Sequence, residues 1–159
     1  MKLVERNAVR AILLTAQGEV LLMRIRNPVS LKEFWNCPGG GLEPGEGVTD
    51  GLKRELREEL GLLHFEVSHE VHKRHHVFDW KEKRISQHET FFVVKTEKFE
   101  PVINDEEEKE VLREFRWWKI EDLQSAPDPV TPTRLQEIVT SYLREGPPKG
   151  PLKVETLTD

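Results

Sequence analysis

Glu55, Glu58 and Glu59 stand at i, i+3 and i+4 in a segment that reads Arg54-Glu55-Leu56-Arg57-Glu58-Glu59. In a helix this spacing puts the three carboxylates on one side, with neighbouring Cβ atoms about 5–6 Å apart. Like charges that close repel, so such a cluster is favoured when cations sit among them. Hard oxygen ligands at this density suit Mg²⁺ or Mn²⁺. The plain alternative is a solvated acidic helix face, with Arg54 and Arg57 as its i,i+3 and i,i+4 partners. The run Pro38-Gly39-Gly40-Gly41 just upstream bears on the choice. It reads as a loop that either comes close to something or takes positive φ. Free backbone groups beside a carboxylate cluster are what a metal-bound pyrophosphate requires. Glu46, eight residues before Arg54, could pair with that arginine and hold the loop against the helix.

These side chains need a scaffold. Ala8–Thr15 and Glu19–Ile25 read as two strands around a Gln17-Gly18 turn, and so as a hairpin. Val48, Leu52 and Leu56 make an apolar stripe at i, i+4, i+8 for a helix, with Thr49 and Asp50 as caps and Gly61 as its terminator. Phe65–Phe78 and Arg84–Lys95 read as long strands joined at Asp79–Lys83, followed by an acidic loop, Asn104–Glu110, and a short strand, Phe115–Ile120. Thr131–Glu145 reads as a last helix with Leu135, Ile138, Val139 and Leu143 on one face. The order predicts an α/β fold, a mixed sheet with helices packed on it. Residues 1–145 are expected to form one domain. The tail, 146–159, is rich in proline and is expected to be loosely ordered.

The bulk composition sets limits. At 159 residues, with 36% apolar and 33% charged, the chain suits one domain with a real core. Its net charge of -5 makes it poorly suited to a nucleic-acid duplex. A single cysteine, Cys37, excludes an internal disulfide and fits a reducing compartment. The first ten residues lack a signal-peptide pattern, and no apolar run approaches the ~20 residues that span a bilayer. A soluble, cytoplasmic protein is expected.

Gly40, five residues, Glu46, seven residues, then Arg54-Glu55-Leu56-Arg57-Glu58-Glu59-Leu60-Gly61-Leu62 resembles the complete Nudix box, without a departure. A chance match to all its specified positions is on the order of 10⁻⁷ or less. Trp35…Pro38-Gly39-Gly40 before the box, and Arg116-Trp117-Trp118 with Glu121-Asp122-Leu123 after it, are similar to Nudix landmarks. The stretches HHVFDW, QHETFFVV and PTRLQEIV are similar to a group of small bacterial Nudix proteins. The resemblance reaches most of residues 6–145. It implies an α/β/α sandwich, a mixed sheet with helices on both faces. It also implies metal-assisted hydrolysis of a nucleoside diphosphate linked to another moiety, a small-molecule partner, and leaves a homodimer open. By the same resemblance, Glu58 and Glu59 would be metal ligands, Glu55 a ligand or the general base, and the Gly39 carbonyl a further ligand. Arg54 and Glu46 would orient the set. Many Nudix enzymes add a loop glutamate. Glu106, Glu107, Glu108, Glu110 and Glu114 are available, and Glu110 or Glu114 is preferred because they lie closest to the Arg116-Trp117 strand.

Other residues have competing readings. The run His72, His75, His76 suggests zinc, but on a strand His72 and His75 point to opposite faces, and a surface or groove role fits better. Arg74, His76 and Arg84, in a basic hairpin, could hold a terminal phosphate or simply be solvated. Trp35, Phe78 and Trp80 could stack on a base or belong to core and rim. Cys37 reads as a small buried residue rather than a nucleophile. Two alternative functions share the fold. One is a nucleotide-sensing module without turnover, marked by degenerate boxes. The other is an isoprenoid-diphosphate isomerase, which would require a reactive cysteine and glutamate.

Overall fold

A computed structural model of the protein describes residues 2–103 and 106–159, and the side chains of these except 106–108. One strand organises the sheet. β1, Lys2–Leu14, runs parallel to β6, Lys83–Lys95, along its whole length, from Lys2↔Lys83 to Leu14↔Lys95. Its second edge is shared. β2, Glu19–Arg26, meets β1 at Leu14↔Val20, while β4, Gly39–Gly41, pairs with Ala8–Arg10. A strand has only two edges. The expected β1–β2 hairpin is therefore joined only at its turn, where Gly18 sits at φ +78°. Beyond it β2 pairs with β3, Glu33–Asn36, and with β7, Leu112–Lys119.

The long hairpin is present. β5, Glu66–Trp80, pairs antiparallel with β6. With β8, Val130–Thr131, and β9, Val154–Thr158, at its ends, the strand order is β8-β3-β2-β1-β6-β5-β9, with β4 on β1 and β7 on β2.

Side-chain alternation along β1 feeds two cores. Ile12 and Leu14 join Val20, Leu22, Phe91, Val93, Trp35 and Cys37 beneath α3, Leu135–Glu145, which contributes Leu135, Val139 and Tyr142. Val9, Ala11 and Leu13 join Leu21, Met23 and Val94 beneath α1, Val48–Leu60, which contributes Leu52, Leu56 and Leu60. Each fully buried leucine contributes roughly 1.5–3 kcal/mol. Helices thus pack on both faces of a mixed sheet, which is the expected α/β/α sandwich.

Several local expectations are corrected. Gly39–Gly41 is a short strand, not a loop. Glycine makes this pairing feasible, because a Cβ on Gly39 would fall 2.1 Å from the Val9 carbonyl oxygen. The N-cap of α1 is Gly47, without a side-chain cap; Thr49 and Asp50 lie inside the first turn, where Asp50 complements the helix dipole. Gly61 closes the helix in the left-handed region at φ 68°, ψ 19°. Of the acidic stretch Asn104–Glu110, residues 104 and 105 lie outside the described residues, and Glu106–Val111 is a helix, α2. The last helix begins at Leu135 rather than Thr131, because Val130–Thr131 is a strand, β8, on β3.

The tail differs too. Val154–Thr158 forms β9, parallel to β5, and occupies hydrogen-bonding groups that an edge strand would leave open. No helix among the described residues is long and apolar enough to cross a membrane.

Candidate active site

The apolar stripe of α1 decides how its glutamates are placed. At 100° per residue, Glu59 lies about 20° from Leu52 around the helix axis, Glu55 about 60° and Glu58 about 120°. Accordingly Glu55 and Glu59 are buried, while the Glu58 side chain is 61% exposed. The three carboxylates share a side of the helix but not an environment.

Arg54 ties the site together. Its Nε and Nη2 donate to the two carboxylate oxygens of Glu46 at 2.8 and 2.9 Å. Its Nη1 donates to Glu55 Oε1 at 3.0 Å and to Glu58 Oε2 at 3.2 Å. Nη2 also donates to the Gly41 carbonyl at 3.0 Å. One planar fork thus spans the β4 strand, the loop and the helix, as only a guanidinium can. Hydrogen bonds from Arg54, and then from the Glu43 backbone N–H, hold the Glu46 carboxyl down at about 2. The bond to Glu46 in turn holds Arg54 above its ordinary value.

β4 is fitted to the helix. A Cβ on Gly40 would fall 2.6 Å from the Glu55 carboxylate carbon, so only glycine lets that carboxylate lie against the strand. Gly39 pairs with Arg10 in the β1–β4 ladder. Among the described residues no three acidic, histidine or cysteine groups are already gathered as a ligand cluster, since Glu55 and Glu58 both turn toward Arg54. The donor set nevertheless fits a divalent cation. It offers carboxylate oxygens from one helix side, two of them already drawn around a single positive nitrogen, and a glycine seat that admits the Glu55 carboxylate.

The remaining candidates are placed as follows. Glu110 is exposed on α2. Glu114 lies on β7 and accepts from Arg24 Nη1 at 3.3 Å and Arg116 Nη2 at 3.4 Å. The side chains of Glu106, Glu107 and Glu108 lie outside the described residues. Trp35 is buried, edge-on to Trp118 at 5.2 Å, with the Arg116 guanidinium over its ring. It is a core residue with no free face for a base. Trp80 packs at the margin of the core under α1, edge-on to Phe78. Arg84 Nη1 donates to Asp79 at 2.9 Å. His76 Nε2 is 2.8 Å from Asp159 Oδ2, and His72 Nε2 is 3.2 Å from Glu155 Oε1. His75 stacks on His88 and meets Ser86.

Arg74 is not a solvated hairpin cation. It is buried and bonded to Glu89. Sequence reading passed over Arg6, Arg10, Gln87 and Glu89. The available signal was a polar or charged residue inside an apolar strand, as in AVRAILL and QHETFFVV.

The NUDIX domain model matches residues 4–138. The chain belongs to the Nudix family. An RNA pyrophosphohydrolase of Pelagibacter ubique is 30% identical over 139 residues, which cover 82% of this chain and 84% of that protein. The nucleoside triphosphatase NudI of Escherichia coli is 35% identical over 96 residues, 56% of this chain and 64% of that protein, so that match spans under two thirds of its length. In structure, a MutT Nudix hydrolase from Burkholderia pseudomallei superposes with a TM-score of 0.59 at 22% identity, covering 84% of this chain and 95% of that one, which is a likeness of fold. This Nudix chain is therefore an enzyme of the hydrolase class, from a family that acts on nucleoside diphosphate derivatives and generally uses divalent metals.

Proposed function

We propose that this Nudix hydrolase cleaves the phosphoanhydride bond of a nucleoside diphosphate linked to another moiety, with Mg²⁺ or Mn²⁺ held by its box glutamates, in the cytoplasm. The observation that carries the reading is the Arg54 fork, which joins Glu46, Glu55, Glu58 and the Gly41 carbonyl into one preorganised unit. Nothing in an acidic surface helix requires such a unit, whereas positioning of carboxylates for catalysis does.

Glu58 and Glu59, with the Gly39 carbonyl and a glutamate from outside the box such as Glu110 on α2, would hold the cation, and Glu55 would share in that or accept the proton of the attacking water. A bound divalent cation would neutralise the pyrophosphate oxygens and lower the pKa of that water. Glu46 keeps Arg54 in place, and Arg54 keeps Glu55 and Glu58 facing the same space. A carboxylate of Glu55 fixed against Gly40 can take a proton at Oε without first reorganising.

Glu58→Gln is expected to lower kcat by about 10²–10⁴-fold while the fold survives, since the side chain is exposed. Near-normal turnover in a folded variant overturns the assignment. The substrate is sought by screening nucleoside triphosphates, ADP-ribose, dinucleoside polyphosphates, sugar nucleotides and 5′-triphosphorylated RNA with each metal, scoring released phosphate or pyrophosphate. Failure on every member favours a sensing module instead. The isomerase alternative is weakened by Cys37, whose thiol is wholly buried and pushed up by that burial to about 12.

A further inference from the structure

A patch of the sheet lies outside both cores. Val4 on β1, Ile85 on β6 and Phe78 on β5 stand side by side, as Val4↔Ile85 and Phe78↔Ile85. Ile85 is buried, yet none of the three belongs to the core beneath α1 or to the core beneath α3. Two residues along β6, on the same face, comes Gln87, with Arg6 opposite it on β1 and His76 opposite it on β5. The His76 and Phe78 rings lie 4.7 Å apart. The patch adjoins the box, because the Arg6 guanidinium lies against Gly41, whose carbonyl accepts from Arg54.

Gln87 is 1% exposed, and its Oε1 has no hydrogen-bond partner. Among the described residues it is the one buried side-chain acceptor in that state; the other orphaned atoms are nitrogen donors. A buried acceptor left unpaired is costly. Neither neighbour supplies the missing donor, since His76 Nε2 is engaged by Asp159 Oδ2 at 2.8 Å and Arg6 lies against Gly41. Charge is already opposed there, because Arg6 feels Glu55, Glu59 and Glu89 along with Arg10. What the amide oxygen lacks is therefore a neutral N–H or O–H, not an anion. Arg6 is exposed, and it is the side chain that can give way to a ligand at the amide.

We infer that this patch seats the nucleoside of the substrate, with Gln87 Oε1 accepting a hydrogen bond from it and Phe78 packing against its ring. The identity of the ligand rests on the hydrolase reading above. A nucleoside matches the patch in chemistry, being a flat, largely apolar body with N–H and O–H groups at its edges. The donor is a base N–H or a ribose O–H. A site built around a polar group discriminates strongly against a ligand that leaves it unpaired. Gln87 is thus a specificity-determining residue, acting away from the phosphates.

Calorimetric titration with AMP, GMP, CMP and UMP, and with inorganic pyrophosphate, all in Mg²⁺, tests the assignment without requiring turnover. Gln87→Met keeps the length and removes the amide. It is expected to raise the Kd of the best-bound monophosphate at least about tenfold, to leave pyrophosphate binding unchanged, and to leave Tm unchanged or higher, since the orphaned acceptor is gone. An amide that only holds a trapped water would instead lower Tm and leave every Kd as it was, which overturns the proposal. Phe78→Leu, at a half-buried position, is expected to weaken the same monophosphate and not pyrophosphate, and gives a reading that does not depend on how Gln87→Met folds. The matching 2′,3′-dideoxynucleotide identifies the donor. If it is a base N–H, Gln87→Met weakens the dideoxynucleotide as much as the ribonucleotide; if it is a ribose O–H, the wild type already binds the dideoxynucleotide weakly and Gln87→Met adds nothing. Unchanged monophosphate binding in the folded variants, equal weakening of pyrophosphate, or no binding of any monophosphate by the wild type at millimolar concentration overturns the proposal even if the enzyme hydrolyses a nucleotide. Selective loss of monophosphate binding, with no turnover on any nucleotide, sustains it while the hydrolase reading fails.

Discussion

Arg54 shows how much one side chain can decide. Its fork makes contacts that an ammonium cannot reproduce together. Arg54→Lys is therefore expected to lower kcat by at least about tenfold, with a small change in thermal stability, as read by steady-state kinetics beside a melting curve. Equal kinetics in the two proteins would mean that the fork does not organise the site. Cys37 lends itself to an independent check. Its thiol is buried and pushed up to about 12, so it should resist iodoacetamide in the native protein and react at once in denaturant. The glutamate spacing was legible in the sequence because it is local. The contrast between buried Glu59 and exposed Glu58 was also implicit, in the position of the leucine stripe, but became plain only once the stripe had a sheet to face.

At the level of elements, β4 and α1 are matched surfaces, and two glycines in one strand should fail differently. A methyl on Gly39, at φ +152°, meets backbone of β1, which cannot give way. Gly39→Ala is expected to cost several kcal/mol, about the size of a serious core defect, read from urea unfolding. A methyl on Gly40 meets only the end of the Glu55 side chain. Gly40→Ala should fold well and lose activity as Glu55 is displaced. If both variants were equally stable, the close approach of β4 to β1 would be wrong. The uncapped start of α1 gives a gain instead. Gly47 has extended backbone at φ -69°, ψ 152°, and a Cβ there would lie in ordinary contact with Asp50. Gly47→Ser is expected to stabilise by a few tenths to about 1 kcal/mol, as a rise in urea midpoint at constant m-value.

For the whole molecule, the Arg10–Glu89–Arg74 assembly ties β1, β5 and β6 together and through Thr131 reaches β8. Burial alone would raise the Glu89 carboxyl, but the two guanidinium groups outweigh it and hold it down at about 2. A depressed carboxyl contributes stability that is present above its unfolded value, near 4.5, and is lost as the pH falls toward about 2. At neutral pH this linkage is worth about 3 kcal/mol. Glu89→Gln should flatten the acid limb of a stability–pH profile in that window while lowering stability at pH 7. An unchanged acid limb would show that other carboxylates govern acid unfolding.

The box glutamates, their arginine and the glycine run were readable in order along the chain, because helix periodicity and motif spacing are properties of neighbours. So were the two helices that sandwich the sheet, since their stripes need only 3.6-residue repetition. Pairings between distant residues were not. Arg74 could be read as a phosphate-holding or a solvated hairpin cation until β6 brought Glu89 opposite it, fifteen positions on. Trp35 could be read as a stacking platform or as core until Trp118 closed over it, and the proline-rich tail gave no hint that it would cap the β5 edge. Charge and aromaticity state what a residue can do; which partner reaches it first depends on strand order, and strand order is a long-range property of the folded chain. The box Gly40–Leu62 marks where the chemistry is expected, while β1, β5 and β6, folded together, determine which cations stand beside it.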